Sequence, residues 1–282
     1  MNLVTQGEGM TAALAAELAR LTGSAPEPIG ASAFRYKFSA RDVKIAQWCD
    51  ERRIDHAFVP AGRRFDQLKL VAMDMDSTLI TIECIDELGD LAGKKAAIAA
   101  ITAQAMRGEV DYPESLRRRV ALLAGLPQDA LRRVYEERLQ LTPGAEALIA
   151  ACKANGVKLL LVSGGFTYFT EKLKDRLGLD FILSNVLEIE QHRLTGRLAG
   201  PVVDAEAKAR RFLEVANTLK ADRSQTVAIG DGANDLKMMA LAGVSIAYRA
   251  KPVVRAQADC ALNYSGLDGV LRLFEPPPTP AA

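Results

Sequence analysis

From residue 69 onward, short apolar runs alternate with segments of helical spacing. Leu70–Met73 ends in Asp74, and Val157–Val162 ends in Ser163-Gly164-Gly165. Thr226–Ile229 ends in Gly230-Asp231-Gly232, and Val244–Ala247 makes a fourth run. Runs this short and uniformly apolar fit strands buried on both faces. Helical punctuation fills the gaps: Thr142-Pro143 starts a helix and Gly156 ends it, and Asp204–Lys220 and Asn234–Ala242 have helical spacing. The pattern predicts an α/β fold with a Rossmann-type parallel sheet over residues 67–275. Ligands of such sheets bind beyond the carboxyl ends of the strands. Three of those ends carry Asp74/Asp76, Ser163 and Asp231/Asp235.

Two stretches interrupt this alternation. About 65 residues between the first two strands read as helical, whereas a simple crossover needs about a dozen residues with its helix. Ala96–Arg107, Tyr112–Ala124 and Gln128–Arg138 are the helical segments, so a cap inserted at about 83–140 is expected over the active face. Val186–Val203 alternates around Gln191-His192 and predicts a hairpin flap at about 186–203.

Residues 1–66 read as a separate small α+β unit. Leu3–Thr5, Ala33–Phe38 and His56–Val59 are candidate strands, and Thr11–Leu21 and Ala40–Arg53 candidate helices. Ser24–Gly30, with two prolines and a glycine, reads as a break. The last residues, 276–282, are expected to be a frayed tail.

Composition narrows the function classes. A chain of 282 residues suits about two domains. Its 36 basic and 35 acidic residues give a net charge of +1 and no global field for nucleic acid or an anionic membrane. Two histidines exclude a three-histidine zinc site. The four scattered cysteines form no C-x-x-C pair and fit buried thiols in a reducing compartment. With no signal-peptide pattern and no long apolar run, a cytoplasmic protein with no membrane partner is expected.

Asp74-Met75-Asp76-Ser77-Thr78 sets two carboxylates two residues apart at a strand end. An ionised aspartate can attack phosphorus, and a divalent cation reduces its repulsion from an anionic substrate. Asp231 and Asp235 supply further hard oxygen donors, which suit Mg²⁺. Asp76 can protonate the leaving oxygen and later activate water. Ser163, Gly164 and Lys208 can hold a phosphate. Each signal alone is also explained by a turn, a cap or a solvated lysine. Their order at successive strand ends points to one reaction class.

With those four elements in place, the chain resembles the haloacid-dehalogenase-like superfamily of aspartate-nucleophile phosphatases over roughly residues 69–268. The resemblance extends to the phosphoserine phosphatase family through Asp74–Asp86 (DMDSTLITIECID), Tyr112–Val120 (YPESLRRRV), Ser163–Phe166 and Gly230–Asp235. That family normally has phenylalanine where Tyr112 stands. The resemblance implies Asp74 as nucleophile, Asp76 as acid/base, and Mg²⁺ held by Asp74, Asp231 and the Asp76 carbonyl, with Asp235 supporting the metal. It implies Ser163, Gly164 and Lys208 on the phosphate, Asn234 against the phosphate or the substrate, Glu83 on the substrate ammonium and Arg119 on its carboxylate. The spacing of Arg117, Arg118 and Arg119 does not itself choose among them. The expected reaction is hydrolysis of O-phospho-L-serine to L-serine, the last step of serine biosynthesis.

A phosphotransferase to a hydroxy amino acid such as homoserine, a phosphatase of broader range and a non-catalytic amino-acid or phosphate sensor remain alternatives. Family members often carry an N-terminal ACT-type unit of order β-α-β-β-α-β, and residues 1–66 read as one strand short of it. A homodimer is compatible with the sequence, but no residue pattern specifies it.

Overall fold

The computed structural model describes residues 1–38 and 41–276. The start of the expected Ala40–Arg53 helix and most of the expected frayed tail lie outside the described residues.

The N-terminal unit runs β1 (Asn2–Gln6), α1 (Ala12–Thr22), β2 (Glu27–Gly30), β3 (Ala33–Lys37), α2 (Val43–Glu51) and β4 (Asp55–Val59). Its sheet has the order β2-β3-β1-β4 with every pair antiparallel. The unit therefore has the full β-α-β-β-α-β order, and the missing strand is β2. The segment read as a break forms it because Pro28 sits on the sheet edge, where no ladder donor is needed. Thr11 caps α1 by accepting from Leu14 N–H, and Gly23, at φ 66°, ends it. Leu3, Tyr36, Leu18, Ile45 and Ile54 form this unit's own core.

β5 (Leu70–Met73) opens the second unit, and a tight turn over Met75–Leu79 follows it. Four helices come next: α3 (Cys84–Leu91), α4 (Lys95–Met106), α5 (Tyr112–Ala121) and α6 (Asp129–Arg133). α3 falls in the stretch read as helical without bounds of its own, and the expected Gln128–Arg138 helix splits into α6 and a wider turn over Val134–Arg138. The chain re-enters the sheet layer beside the point where it left, through an antiparallel bridge between Ile80 and Leu141. Then come α7 (Ala145–Ala154), β6 (Lys158–Phe166), α8 (Thr167–Leu177), β7 (Phe181–Glu190), β8 (Arg193–Ala199) and α9 (Ala205–Thr218). The remainder is β9 (Thr226–Gly230), α10 (Leu236–Leu241), β10 (Val244–Tyr248), α11 (Pro252–Arg255) and β11 (Cys260–Leu262).

The large sheet has the order β11-β10-β9-β5-β6-β7-β8. All its neighbours are parallel except β7 and β8, which form the hairpin expected at the flap. Gln191 and His192 make its turn with left-handed φ of 48° and 60°. Alternation along the strands fills both faces. Leu70, Ala72, Leu160, Val162 and Ala228 pack on Phe212, Val215, Met238 and Met239 from α9 and α10. Val71, Met73, Leu159, Leu161 and Ile229 face the side of Leu148, Cys152, Phe169 and Leu173.

The two units are joined by buried polar contacts. The Asp55 carboxylate accepts the backbone N–H groups of Asn263 (2.6 Å), Tyr264 (3.0 Å) and Ser265 (2.7 Å). The Arg35 guanidinium donates to the carbonyls of Phe274 (2.6 Å) and Arg272 (3.2 Å). Both side chains are at most 5% exposed.

Candidate active site

β5 delivers Asp74 to the carboxyl edge of the sheet. Its backbone N–H donates to Ile229 O, so strand pairing fixes the residue up to its Cα. In the turn that follows, Ser77 takes a left-handed φ of 56°. The turn orients two acids. Asp76 Oδ1 accepts the Cys84 N–H at 3.1 Å, and Ser77 Oγ donates to Glu83 Oε1 at 2.7 Å. Glu83 is the residue preceding α3, and its carboxylate serves Ser77 rather than capping that helix.

β6 runs on through Ser163-Gly164-Gly165 to Phe166, with a register shift against β7 between Val162 and Phe166. These residues form an irregular strand end, in place of the plain strand-to-helix turn that is the alternative explanation of this segment. The Gly165 N–H donates to Ser163 Oγ at 2.8 Å, which leaves the serine's own proton to donate elsewhere. A Cβ on Gly164 would fall 2.0 Å from the Tyr112 hydroxyl, and one on Gly165 would fall 2.7 Å from Asp76 Oδ2. Glycine is needed at both positions for close approach.

α9 supplies the cation. Asp204 caps it by accepting from Ala207 N–H at 2.9 Å, which sets the first turn carrying Lys208. Lys208 Nζ lies 2.8 Å from Asp74 Oδ1 and 2.7 Å from Asp235 Oδ1, with no exposed surface. Asp235 also accepts the Gly232 N–H at 3.1 Å, so both its oxygens are engaged by protein.

Asp74, Asp76, Glu83, Arg119, Gly164, Asp231 and Asn234 line one cavity of about 640 Å³ between the strand ends and the cap. Ser163, Lys208 and Asp235 lie behind that lining, wholly buried. From the cap, Tyr112, Ser115 and Arg119 share one face of α5 at helical spacing and line the same cavity. Arg118 turns away to pair with Glu114 at 2.8 Å, so the fold selects Arg119 as the arginine of this helix that faces the site.

Electrostatics set the carboxylates against one another. Burial pushes Asp74 well above the ordinary range, with Asp235 adding to it and Lys208 opposing. Burial and then Glu83 push Asp76 up to about 7. Burial, Asp235 and Glu83 push Asp231 up to about 7. Burial alone would lower Lys208, yet Asp235 and Asp74 hold its ammonium well above the usual value. One buried cation thus faces an excess of acid. Oxygens of Asp74, Asp231 and Asp235 lie within 4.8 Å of one another, and this set of hard donors fits a divalent cation. With Asp235 already bonded to Lys208 and Gly232, Asp74 and Asp231 are the carboxylates with capacity to bind it.

Sequence reasoning missed two polar residues at the site. Ser115 carries a buried hydroxyl with no protein partner. Asn185, on β7, is 2% exposed and donates to the Gly164 carbonyl at 2.8 Å. Ser115 lies within the Tyr112–Val120 segment but has no role assigned there, and Asn185 lies in no motif.

A haloacid dehalogenase-like hydrolase family model matches residues 71–240. The phosphoserine phosphatase of Polaromonas sp. (strain JS666 / ATCC BAA-500) is 54% identical over 217 residues, spanning 75% of this chain and 92% of that protein. A probable phosphoserine phosphatase from Vibrio cholerae, solved without ligand, superposes with a TM-score of 0.84 at 37% identity. That match covers 97% of this chain and 86% of that one. A phosphoserine phosphatase solved as an analogue of its phospho-aspartyl intermediate has a TM-score of 0.70 at 37% identity, over 74% of this chain and 99% of that one.

The chain belongs to the haloacid dehalogenase-like hydrolases. Within them its place is among the phosphoserine phosphatases, which sets the non-catalytic sensor aside.

Proposed function

We propose that this chain hydrolyses O-phospho-L-serine to L-serine and phosphate with Mg²⁺, through an aspartyl-phosphate on Asp74. The observation that carries the reading is the single cavity shared by Asp74, Asp76, Glu83 and Arg119. It offers a nucleophile and an acid, together with an anion and a cation for a zwitterion.

Asp74 is the nucleophile because β5 presents it rigidly and Lys208 holds it at 2.8 Å. Bound between the acids, Mg²⁺ would supply charge neutralisation and polarise the phosphoryl oxygen. Asp74 attacks phosphorus, and the bond from phosphorus to the seryl oxygen breaks. Asp76 gives its proton to that oxygen, and serine leaves. Asp76, now ionised, takes a proton from water as the water attacks phosphorus and frees Asp74. A carboxyl pushed up to about 7 is suited to both duties near neutral pH. The Gly164 N–H, Ser163 Oγ and Lys208 Nζ are the donors for the phosphoryl oxygens, with Asn234 beside them. Glu83 takes the substrate ammonium, and the Arg119 fork takes its carboxylate.

Such a product places the reaction at the end of a phosphorylated route to serine. The four cysteines are free and buried, which suits a reducing, cytoplasmic setting. No described helix is long and apolar enough to cross a membrane.

The test is phosphate release from O-phospho-L-serine and a panel of other phosphomonoesters, with Mg²⁺ and with EDTA. Selective, cation-dependent release from phosphoserine is expected. Equal release from many esters would remove the amino-acid-reading role of Glu83 and Arg119. Transfer of phosphate to added homoserine in place of hydrolysis would favour the phosphotransferase.

A further inference from the structure

Asn185 has both donors and the oxygen of its side-chain amide engaged at the rim of the phosphoryl site. Its Nδ2 donates to the carbonyls of Gly164 (2.8 Å) and Gly165 (3.4 Å), and its Oδ1 accepts the Val203 N–H at 2.8 Å. The amide orientation is dictated by the partners, because only the oxygen can face an N–H and only the nitrogen can face two carbonyls. The residue is 2% exposed and sits where β7 resumes its pairing with β6 after the register shift, opposite Phe166.

The two arms reach two different phosphate-holding elements. One arm fixes the Gly164 and Gly165 carbonyls, and the first of these fixes the peptide plane whose N–H holds Ser163 Oγ. The other arm fixes Val203, next to Asp204, the cap of the helix that carries Lys208.

We propose that Asn185 is a positioning residue for phosphoryl transfer, holding the Ser163-Gly164 donors and the start of the Lys208 helix in register. It touches no reacting atom; it acts through the peptides it holds. The proposal rests on the reading that this site binds a phosphoryl group, and not on which ester is the substrate.

The test compares the parent chain with Asn185→Asp and Asn185→Ala. Aspartate is isosteric and keeps the acceptor for Val203, but sets an acidic oxygen against two carbonyls. Alanine leaves space for water at the same carbonyls and is the milder change. Turnover of O-phospho-L-serine, calorimetric affinity for inorganic phosphate, Mg²⁺ affinity and thermal midpoint are measured on each. The expected result is a fall in kcat of about 100-fold for the aspartate variant, the scale of a misplacement of about 1 Å. Phosphate affinity falls with it, Mg²⁺ affinity stays within about threefold, and alanine lies between. Unchanged kcat and phosphate affinity would overturn the proposal, whether or not the thermal midpoint drops. Loss of Mg²⁺ affinity alongside the rest would overturn it too, because that marks general disruption. A parent chain inactive on phosphoserine would sink the substrate reading instead, and the phosphate titration would still decide the role of Asn185.

Discussion

Asp74 Oδ1 and Lys208 Nζ stand 2.8 Å apart, and the lysine has no solvent-exposed surface. A buried ammonium is tolerated only when paired, and this one is paired twice, with Asp74 and Asp235. Asp74→Asn therefore leaves Lys208 a charged partner. It is expected to preserve the fold and lower kcat by about 10⁴-fold or more, the scale of losing a member of a covalent catalytic unit. Lys208→Met is expected to lose activity equally and to destabilise by about 3–5 kcal/mol, because two buried carboxylates are left facing each other. Steady-state rates and urea midpoints of the two variants separate the cases: equal stability loss in both would refute the asymmetry.

The cation and the proton compete for Asp231. Its carboxyl is pushed up to about 7 by burial, then by Asp235 and Glu83, and a metal binds only the ionised form. Mg²⁺ affinity should fall by up to about tenfold per pH unit below 7 and level off above about 8. Because the folded value lies above the ordinary one near 4, the metal-free fold loses stability as pH rises from about 4 through about 7. Asp231→Asn should flatten that slope. Thermal midpoints of EDTA-treated parent and variant at pH 5 and 8 check it; a variant whose midpoint falls as far as the parent's between the two would contradict the linkage.

Arg119 reaches the cavity from the cap without an ion-pair partner among the described residues. Arg119→Ala should raise KM for phosphoserine about 10- to 100-fold, since a charge-assisted hydrogen bond contributes about 1.5–3 kcal/mol. Release from p-nitrophenyl phosphate, which has no carboxylate, should change little. Equal losses on both substrates would assign Arg119 to the phosphate end.

Tyr112 donates its hydroxyl to Gly164 O at 3.4 Å, a long bond to an acceptor that Asn185 already satisfies. Tyr112→Phe strands no buried acceptor, so kcat/KM should stay within about tenfold. A larger loss would place the hydroxyl on the substrate.

Asp55 gathers three backbone N–H groups of residues 263–265. Asp55→Ala leaves them buried and unmet, and should cost about 2–4 kcal/mol in urea unfolding while the folded enzyme keeps its kcat.

What the sequence made legible is what is local. β5 ends in Asp74 because an apolar run meets an acid, and α9 begins at Asp204 because an acid caps it. Asp74, Asp76, Gly164, Asp231 and Asn234 lie within short motifs, and the fold brings them to one cavity. What escaped depends on distant partners. β2, with its edge proline, is a strand only because β3 lies beside it. Asn185 finds Gly164 21 residues away, and Asp55 finds Asn263 across 208. The strand through Ser163-Gly164-Gly165 persists because β7 resumes pairing at Phe166, which no local glycine pattern announces.

The bridge between Ile80 and Leu141 is a small feature with a wide consequence. Thr81 N–H donates to Gln140 O and Thr142 N–H to Leu79 O, so the chain leaves and rejoins the core through two segments bonded side by side. The insertion is thus a closed loop hung from a socket, and the bonds that close the socket lie between residues 79–81 and 140–142 themselves. Closure entropy grows only with the logarithm of loop length, about 0.6 kcal/mol per doubling. A larger or smaller cap could be exchanged at this port with little cost to the core, while Asp74, a few residues upstream and held by its own pairing to Ile229, stays in place. The strand end that carries Asp74 and the helices that close over it are thereby separable: the lid can be substituted while the strand end is inherited intact.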